Sequence, residues 1–185
     1  MKKLLVVVDY QNDFVNGVLG FKGAEAFLPR ILNLIGEYSK NGDAVVFTKD
    51  IHNENYLHTE EGRHLPIPHC LEGSEGAKLV APLEEISSSY DVFVKDGDTF
   101  GCRPFYDYLL KHRDDIGYIT LVGLDLSICV LSNAVLAKTA CPNAHIMVDL
   151  SASGDEDPAI SEYAISELRR LQIETDDFTK KKGII

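Results

Sequence analysis

No apolar run in these 185 residues approaches the roughly 20 that a membrane-crossing helix needs, so a bilayer span is not expected. Lys2-Lys3 followed by apolar residues has the outline of a secretion signal, but Asp9 breaks the run and no small-residue cleavage site follows. A first strand is the better reading. Positive charge is also scarce: 18 Lys and Arg face 29 Asp and Glu, and the net charge of -11 repels phosphate backbones and anionic lipid. Nucleic acid is therefore not an expected partner. The four cysteines (Cys70, Cys102, Cys129, Cys141) are scattered without a C-x-x-C pair, which argues against a disulfide framework or a zinc ribbon. Phosphate cradles of the G-x-G-x-x-G or G-x-x-x-x-G-K-[ST] type are missing, as is an H-C-x-x-G-x-x-R phosphatase loop. A soluble, cytoplasmic protein without a nucleotide cofactor is expected.

The chain is long enough for one sizeable core and too short for two comfortable domains, so a single domain over residues 1–185 is expected. Short apolar runs at Leu4 to Val8, Ala44 to Thr48, Tyr90 to Val94, Tyr118 to Val122 and His145 to Val148 read as strands, with a short last strand from Ile173. Helical spacing appears between them: Phe27 to Tyr38, a segment opened by Pro104, about Ser127 to Ala140, and a last helix capped by Asp157-Pro158. The alternation predicts an α/β fold, a three-layer α/β/α sandwich around a mainly parallel sheet. Lys49 to Gly76 is the least regular stretch, and Lys180-Lys181-Lys182 reads as a solvated tail.

Three apolar runs lead to residues that can do chemistry: the first stops at Asp9, the third at Lys95, and the fourth leads on to Cys129. In parallel sheets, ligands sit beyond the carboxyl ends of the strands, so an acid, a base and a thiol would meet at one edge. A carboxylate ending a doubly buried strand must be paired or neutralised. A cation beside a thiol stabilises the thiolate, and a helix starting near Ser127 would add its dipole at Cys129. Taken alone, Cys129 between Ile128 and Val130 reads as a packed core residue. In the long loop, Asp50 and His52 lie two apart after a strand, and His69 follows a proline-stiffened segment, with His58, Glu61 and His64 between. Carboxylate and imidazole together suit Zn²⁺, Fe²⁺ or Mn²⁺.

The segment Val8-Asp9-Tyr10-Gln11-Asn12-Asp13-Phe14 resembles the opening motif of isochorismatase-like cysteine hydrolases, the family that includes nicotinamidases. Val122 to Val130 resembles the family's nucleophile segment, with Leu126 where Thr is common. Asp50-x-His52 and Pro68-His69-Cys70 resemble the metal segment, with Leu65-Pro66 in place of a frequent Trp-Pro. The resemblance implies a catalytic triad of Asp9, Lys95 and Cys129. It also implies a cis peptide before Asp125 and an oxyanion hole from the N–H groups of Asp125 and Cys129. The metal ligands it implies are Asp50, His52 and His69, with Glu61 preferred over His58 as the fourth and zinc ahead of iron or manganese. Phe14 and Phe100 would line the substrate pocket, and Gln11 would face the substrate or orient Asp9. The expected function is hydrolysis of nicotinamide or a related small amide to acid and ammonia through a cysteine thioester, in a homo-oligomer. The alternatives are another small amide or ureide as substrate, or a scaffold without activity.

Overall fold

Strand β1 (Lys2–Val8) is buried from Leu4 onward and sits at the middle of a six-stranded sheet in the computed structural model, which describes residues 1–97 and 99–177. The other strands are β2 (Ala44–Lys49), β3 (Asp91–Val94), β4 (Ile116–Gly123), β5 (His145–Ser153) and β6 (Glu174–Asp176). Their order is β3-β2-β1-β4-β5-β6, and every pairing is parallel. The helices are α1 (Asn12–Val15), α2 (Leu28–Lys40), α3 (Glu60–His64), α4 (Ala81–Ser87), α5 (Arg103–His112), α6 (Leu131–Ala140) and α7 (Pro158–Arg170).

Because side chains alternate along a strand, β1 divides its apolar residues between two layers. Leu4, Val6 and Val8 pack with Phe105 and Leu109 of α5, Ala134 and Ala137 of α6, and Leu168 of α7. Leu5 and Val7 pack with Ile31, Leu34 and Ile35 of α2 and Leu83 of α4. The sheet is thus covered on both faces, which explains why its strands read as continuous apolar runs. The chain winds outward from β1 through β2 to β3, then returns to β4 on the other side. The crevice at this reversal lies beyond the carboxyl ends of β1 and β4. There the strands approach so closely that a Cβ on Gly123, at φ 120°, would lie 1.9 Å from the Val8 carbonyl oxygen. Only glycine fits that position.

The expected elements are present, with differences that have local causes. The segment around Cys129 is a wide π turn (Leu126–Val130), and α6 starts only after it. β5 runs on to Ser153 because its end stays buried between β4 and the loop before α7. The irregular loop contains a short turn at Tyr56–His58 and α3, and α4 follows where the sequence pattern gave no helix. The Lys180–Lys182 run lies outside the described residues. No helix among the described residues is long and apolar enough to cross a membrane.

Candidate active site and metal cluster

Asp9 follows β1 directly, with a positive φ of 44° that turns its fully buried carboxyl into the crevice. Thr48, the register partner of Val8 near the end of β2, donates its hydroxyl to Asp9 Oδ1 at 2.7 Å. Lys95, one residue past β3, reaches back across β2. Its Nζ lies 2.8 Å from Asp9 Oδ2, 3.3 Å from Cys129 Sγ and 3.6 Å from Asp50 Oδ1. Asp9 also acts on the thiol electrostatically, raising its pKa. The acid, the amine and the sulfur therefore form one buried group drawn from three separate segments.

The charges in this group are coupled. Burial works against the Lys95 ammonium, but Asp9, Cys129 and Asp50 outweigh it and hold the amine cationic. Burial pushes the Cys129 thiol up, opposed by Lys95 and reinforced by Asp9 and Asp50. The expectation of a resting thiolate favoured by a helix dipole is thus corrected: burial and the two acids outweigh Lys95 at Cys129, which sits in the π turn at the edge of a cavity, and α6 begins two residues later. A neutral thiol beside a carboxylate needs a proton acceptor, and Asp9 is in place to be one.

Asn133 holds the sulfur-bearing turn from behind. Its amide donates to the Cys129 carbonyl at 2.8 Å and the Phe100 carbonyl at 3.3 Å, and accepts from the Cys102 N–H at 3.0 Å. The peptide between Leu124 and Asp125 is cis, as the resemblance implied.

Asp50, His52, Glu61 and His69 offer ligand atoms that all lie within 4.8 Å of one another. His52 and Asp50 follow β2, where the loop carrying His69 and Leu71 returns beside His52. Glu61 is supplied by α3, whose N-cap Thr59 accepts from the Gly62 N–H at 3.0 Å. His58, the alternative ligand, is exposed and lies outside this cluster. His69 gives its Nδ1–H to the Ile67 carbonyl at 2.9 Å, which leaves the Nε2 lone pair free to ligate a metal on the side of Asp50 and Glu61. Burial would raise the Asp50 carboxyl, yet His52, His69 and Lys95 hold it well below the usual carboxylate range. Asp50 Oδ1 is buried without a hydrogen-bond partner among the described residues. That orphaned oxygen, and a donor set of two imidazoles and two carboxylates, fit a divalent transition metal.

A cavity of about 250 Å³ joins the two groups. Phe14, Leu19, Phe21, Leu65, Phe100 and Ile128 form its apolar walls. Asp50, Glu61 and His69 face it from the metal cluster, and Cys129, Asp125 and Glu156 from the other side. Phe14 also meets the His69 ring edge-on, with centroids 5.5 Å apart. Gln11 corrects another expectation, since it neither lines the cavity nor touches the Asp9 carboxyl with its side chain. Its amide donates to the carbonyls of Asp50 and Ala77 at 2.7 and 2.8 Å and accepts the Asp50 N–H at 2.7 Å. It fixes the backbone of a candidate metal ligand. Thr48 and Asn133 escaped the sequence reading, although a polar residue at the buried end of a strand was a signal for the first.

The isochorismatase domain family matches this chain over residues 3–176. An uncharacterised isochorismatase family protein of Bacillus subtilis, PncA, is 34% identical over 143 residues, or 73% of this chain and 78% of its own. The crystal structure of nicotinamidase PncA from Bacillus subtilis has a TM-score of 0.80 at 28% identity, covering 96% of this chain and 100% of that one. A pyrazinamidase of Pyrococcus horikoshii in complex with zinc shares the fold at a TM-score of 0.81 and 23% identity, covering 96% and 100%. A parallel sheet with a sulfur, an amine and an acid at its switch point, matched across residues 3–176, places this chain in the isochorismatase family.

Proposed function

We propose that this chain is a metal-dependent cysteine amidase of the nicotinamidase kind, converting nicotinamide or a closely related small amide to the carboxylic acid and ammonia. The observation that carries the reading is the Lys95 ammonium, held against both the Asp9 carboxylate and the Cys129 sulfur at the edge of a cavity. At about 250 Å³, that cavity is below the roughly 300–1,000 Å³ of pockets for drug-sized ligands. It suits a single ring flanked by Phe14 and Phe100.

In this reading, Asp9 takes the thiol proton as Cys129 Sγ bonds to the amide carbon. The N–H groups of Asp125 and Cys129 receive the negative charge that develops on oxygen. As the C–N bond breaks, Asp9 returns the proton to the departing nitrogen, and ammonia leaves a thioester. Asp9 then takes a proton from water, the resulting hydroxide adds to the thioester carbon, and as the C–S bond breaks and the acid forms, Asp9 returns that proton to the departing sulfur, restoring the thiol. Lys95 stays cationic throughout and balances whichever of the two partners is anionic. Asp50, His52, Glu61 and His69 would hold the metal, with zinc favoured over iron or manganese. When bound, such an ion supplies a fixed positive charge that can hold a ring nitrogen or water.

The same reading treats the chain as one domain in the cytoplasm, where its four buried free thiols would stay reduced. It also assigns a homo-oligomer, for which exposed Ile160 and Tyr163 on α7 are available apolar surface. The test is ammonia release from nicotinamide, pyrazinamide and simple ureides, before and after chelation, with metal content measured on the purified protein. Nicotinamide should be preferred, with one divalent ion per chain. Cys129→Ala should lower turnover by roughly 10⁴-fold or more while the melting temperature stays near that of the wild type. Undiminished turnover by that variant would remove the covalent mechanism, and a metal-free protein preferring ureides would replace the nicotinamide reading.

A further inference from the structure

The two sides of the cavity differ in how their acids are used. Asp50 and Glu61 belong to the metal cluster, and Asp9 is bonded to Thr48 and Lys95. Asp125, two residues past β4, has no such company. Its Oδ1 is buried without a hydrogen-bond partner among the described residues. The donors nearest in sequence are already committed. The Leu126 N–H goes to the Gly154 carbonyl, and the N–H groups of Ile128 and Val130 go to the Asp125 carbonyl. Ser127 gives both its N–H and its hydroxyl to Asp155, which also takes the Ser161 hydroxyl. Glu156 adds a second acid to the same side, and among the described residues neither Lys nor Arg lines the cavity.

We infer that the Asp125 carboxylate determines specificity by accepting a hydrogen bond from an N–H donor on the substrate. The favoured substrates are then small ring amides that carry an amino or cationic nitrogen substituent, and amides carrying a carboxylate are rejected. The inference rests on the amidase reading for the group that reacts at Cys129. It adds what the rest of the substrate must offer. A carboxylate with one oxygen enclosed and left without a donor has given up hydration it had in the unfolded chain, and a ligand N–H that reaches the side of Asp125 lining the cavity offsets part of that loss. Burial, Asp155, Asp9 and Glu156 together push the Asp125 carboxyl up to about 7, in keeping with an acid that lacks a compensating partner. An anionic substituent would meet Asp125 and Glu156 as like charges, whereas a donor or cation would relieve them.

The experiment uses amino- and methyl-substituted nicotinamides matched at each ring position, together with the corresponding carboxylates. Turnover is measured on the wild type, and binding is measured by calorimetry on Cys129→Ala. At one or more positions the amino compound should exceed its methyl partner by roughly 10-fold in kcat/KM and in affinity, with the carboxylate weakest. Asp125→Ala should bring the amino-to-methyl ratio close to one, and the near-isosteric Asp125→Asn should keep part of it. If Asp125→Ala fails to fold, the fall in ratio is read from Asp125→Asn. Equal amino and methyl compounds at every position, or a ratio that survives both substitutions, would overturn the assignment. Amino preference in binding without turnover of any amide would defeat the amidase reading and leave this one standing. Turnover of nicotinamide without the preference would do the reverse.

Discussion

Asp9 and Asp125 follow neighbouring strands, β1 and β4, and stand near the same sulfur, yet their surroundings differ in kind. Asp9 is fully buried with a hydroxyl on one oxygen and an ammonium on the other. Asp125 is partly buried, with one oxygen enclosed and unpartnered and with acids as its electrostatic neighbours. The more deeply buried acid is therefore the better compensated. Burial by itself does not tell what a carboxylate is for; its partner set does. Asp9 can take a proton from Cys129 because the negative charge then passes to a sulfur that faces the same ammonium, so Lys95 is never left unpaired, whereas Asp125 has no such shared cation and is poised to respond to whatever enters the cavity.

Removing the ammonium that separates the two cases should have the largest effect. Lys95→Met keeps most of the volume but leaves Asp9 and Asp50 buried without their shared cation. Breaking a buried pair in this way costs about 3–5 kcal/mol. Urea unfolding of both proteins, with chelator present, should show that loss alongside a loss of ammonia release. A change below about 1 kcal/mol would mean that Asp9 does not depend on Lys95 for its charge.

Asp125 should betray its lack of a partner through pH. Its folded carboxyl is pushed up to about 7 from a usual value of 3.8, chiefly by burial and next by Asp155. Between about pH 4 and 7 the folded chain keeps a proton that the unfolded chain has released, so stability falls as pH rises and levels off above 7. The slope from this group is at most about 1.4 kcal/mol per pH unit, and partial exposure screens it below that limit. Asp125→Asn lacks the contribution, so its stability relative to the wild type should grow from pH 5 to pH 8. Parallel stability curves for the two proteins would place Asp125 among compensated acids.

Much of this was legible in the sequence because strand ends are conspicuous. Asp9 and Lys95 each close an apolar run, so a parallel sheet sends both to one edge, and Cys129 comes from the turn after another. Asp50, His52 and His69 could also be picked out, since their ligand types lie close to strand β2 or in a proline-stiffened loop. Partners were harder to read. Choosing Glu61 over His58 depends on how α3 starts at Thr59, and Gln11 looked like a substrate contact until its amide was seen bonded to the Asp50 backbone. The π turn around Cys129 replaced the regular helix that its apolar spacing predicted. The isolation of Asp125 is a property of every neighbouring donor at once, which no local pattern encodes.

Thr48 offers the finest test of the contrast, because it supplies a single hydrogen bond to the compensated acid. Its hydroxyl reaches Asp9 Oδ1 at 2.7 Å from a fully buried position, set by the pairing of Val8 with Thr48. Thr48→Val replaces that hydroxyl with a methyl of similar size, leaving one carboxylate oxygen without its donor while Lys95 still balances the charge. Hydrogen bonds to charged groups contribute about 1.5–3 kcal/mol, and the remaining ion pair should absorb part of the loss. A decrease in kcat of roughly 10-fold is expected, with KM little changed because Thr48 does not line the cavity. Thr48→Ser should recover most of the rate, since it returns the hydroxyl and omits only the methyl. Equal rates for the valine and serine variants would show that Thr48 serves β2 packing, and that the orientation of Asp9 comes from Lys95 alone.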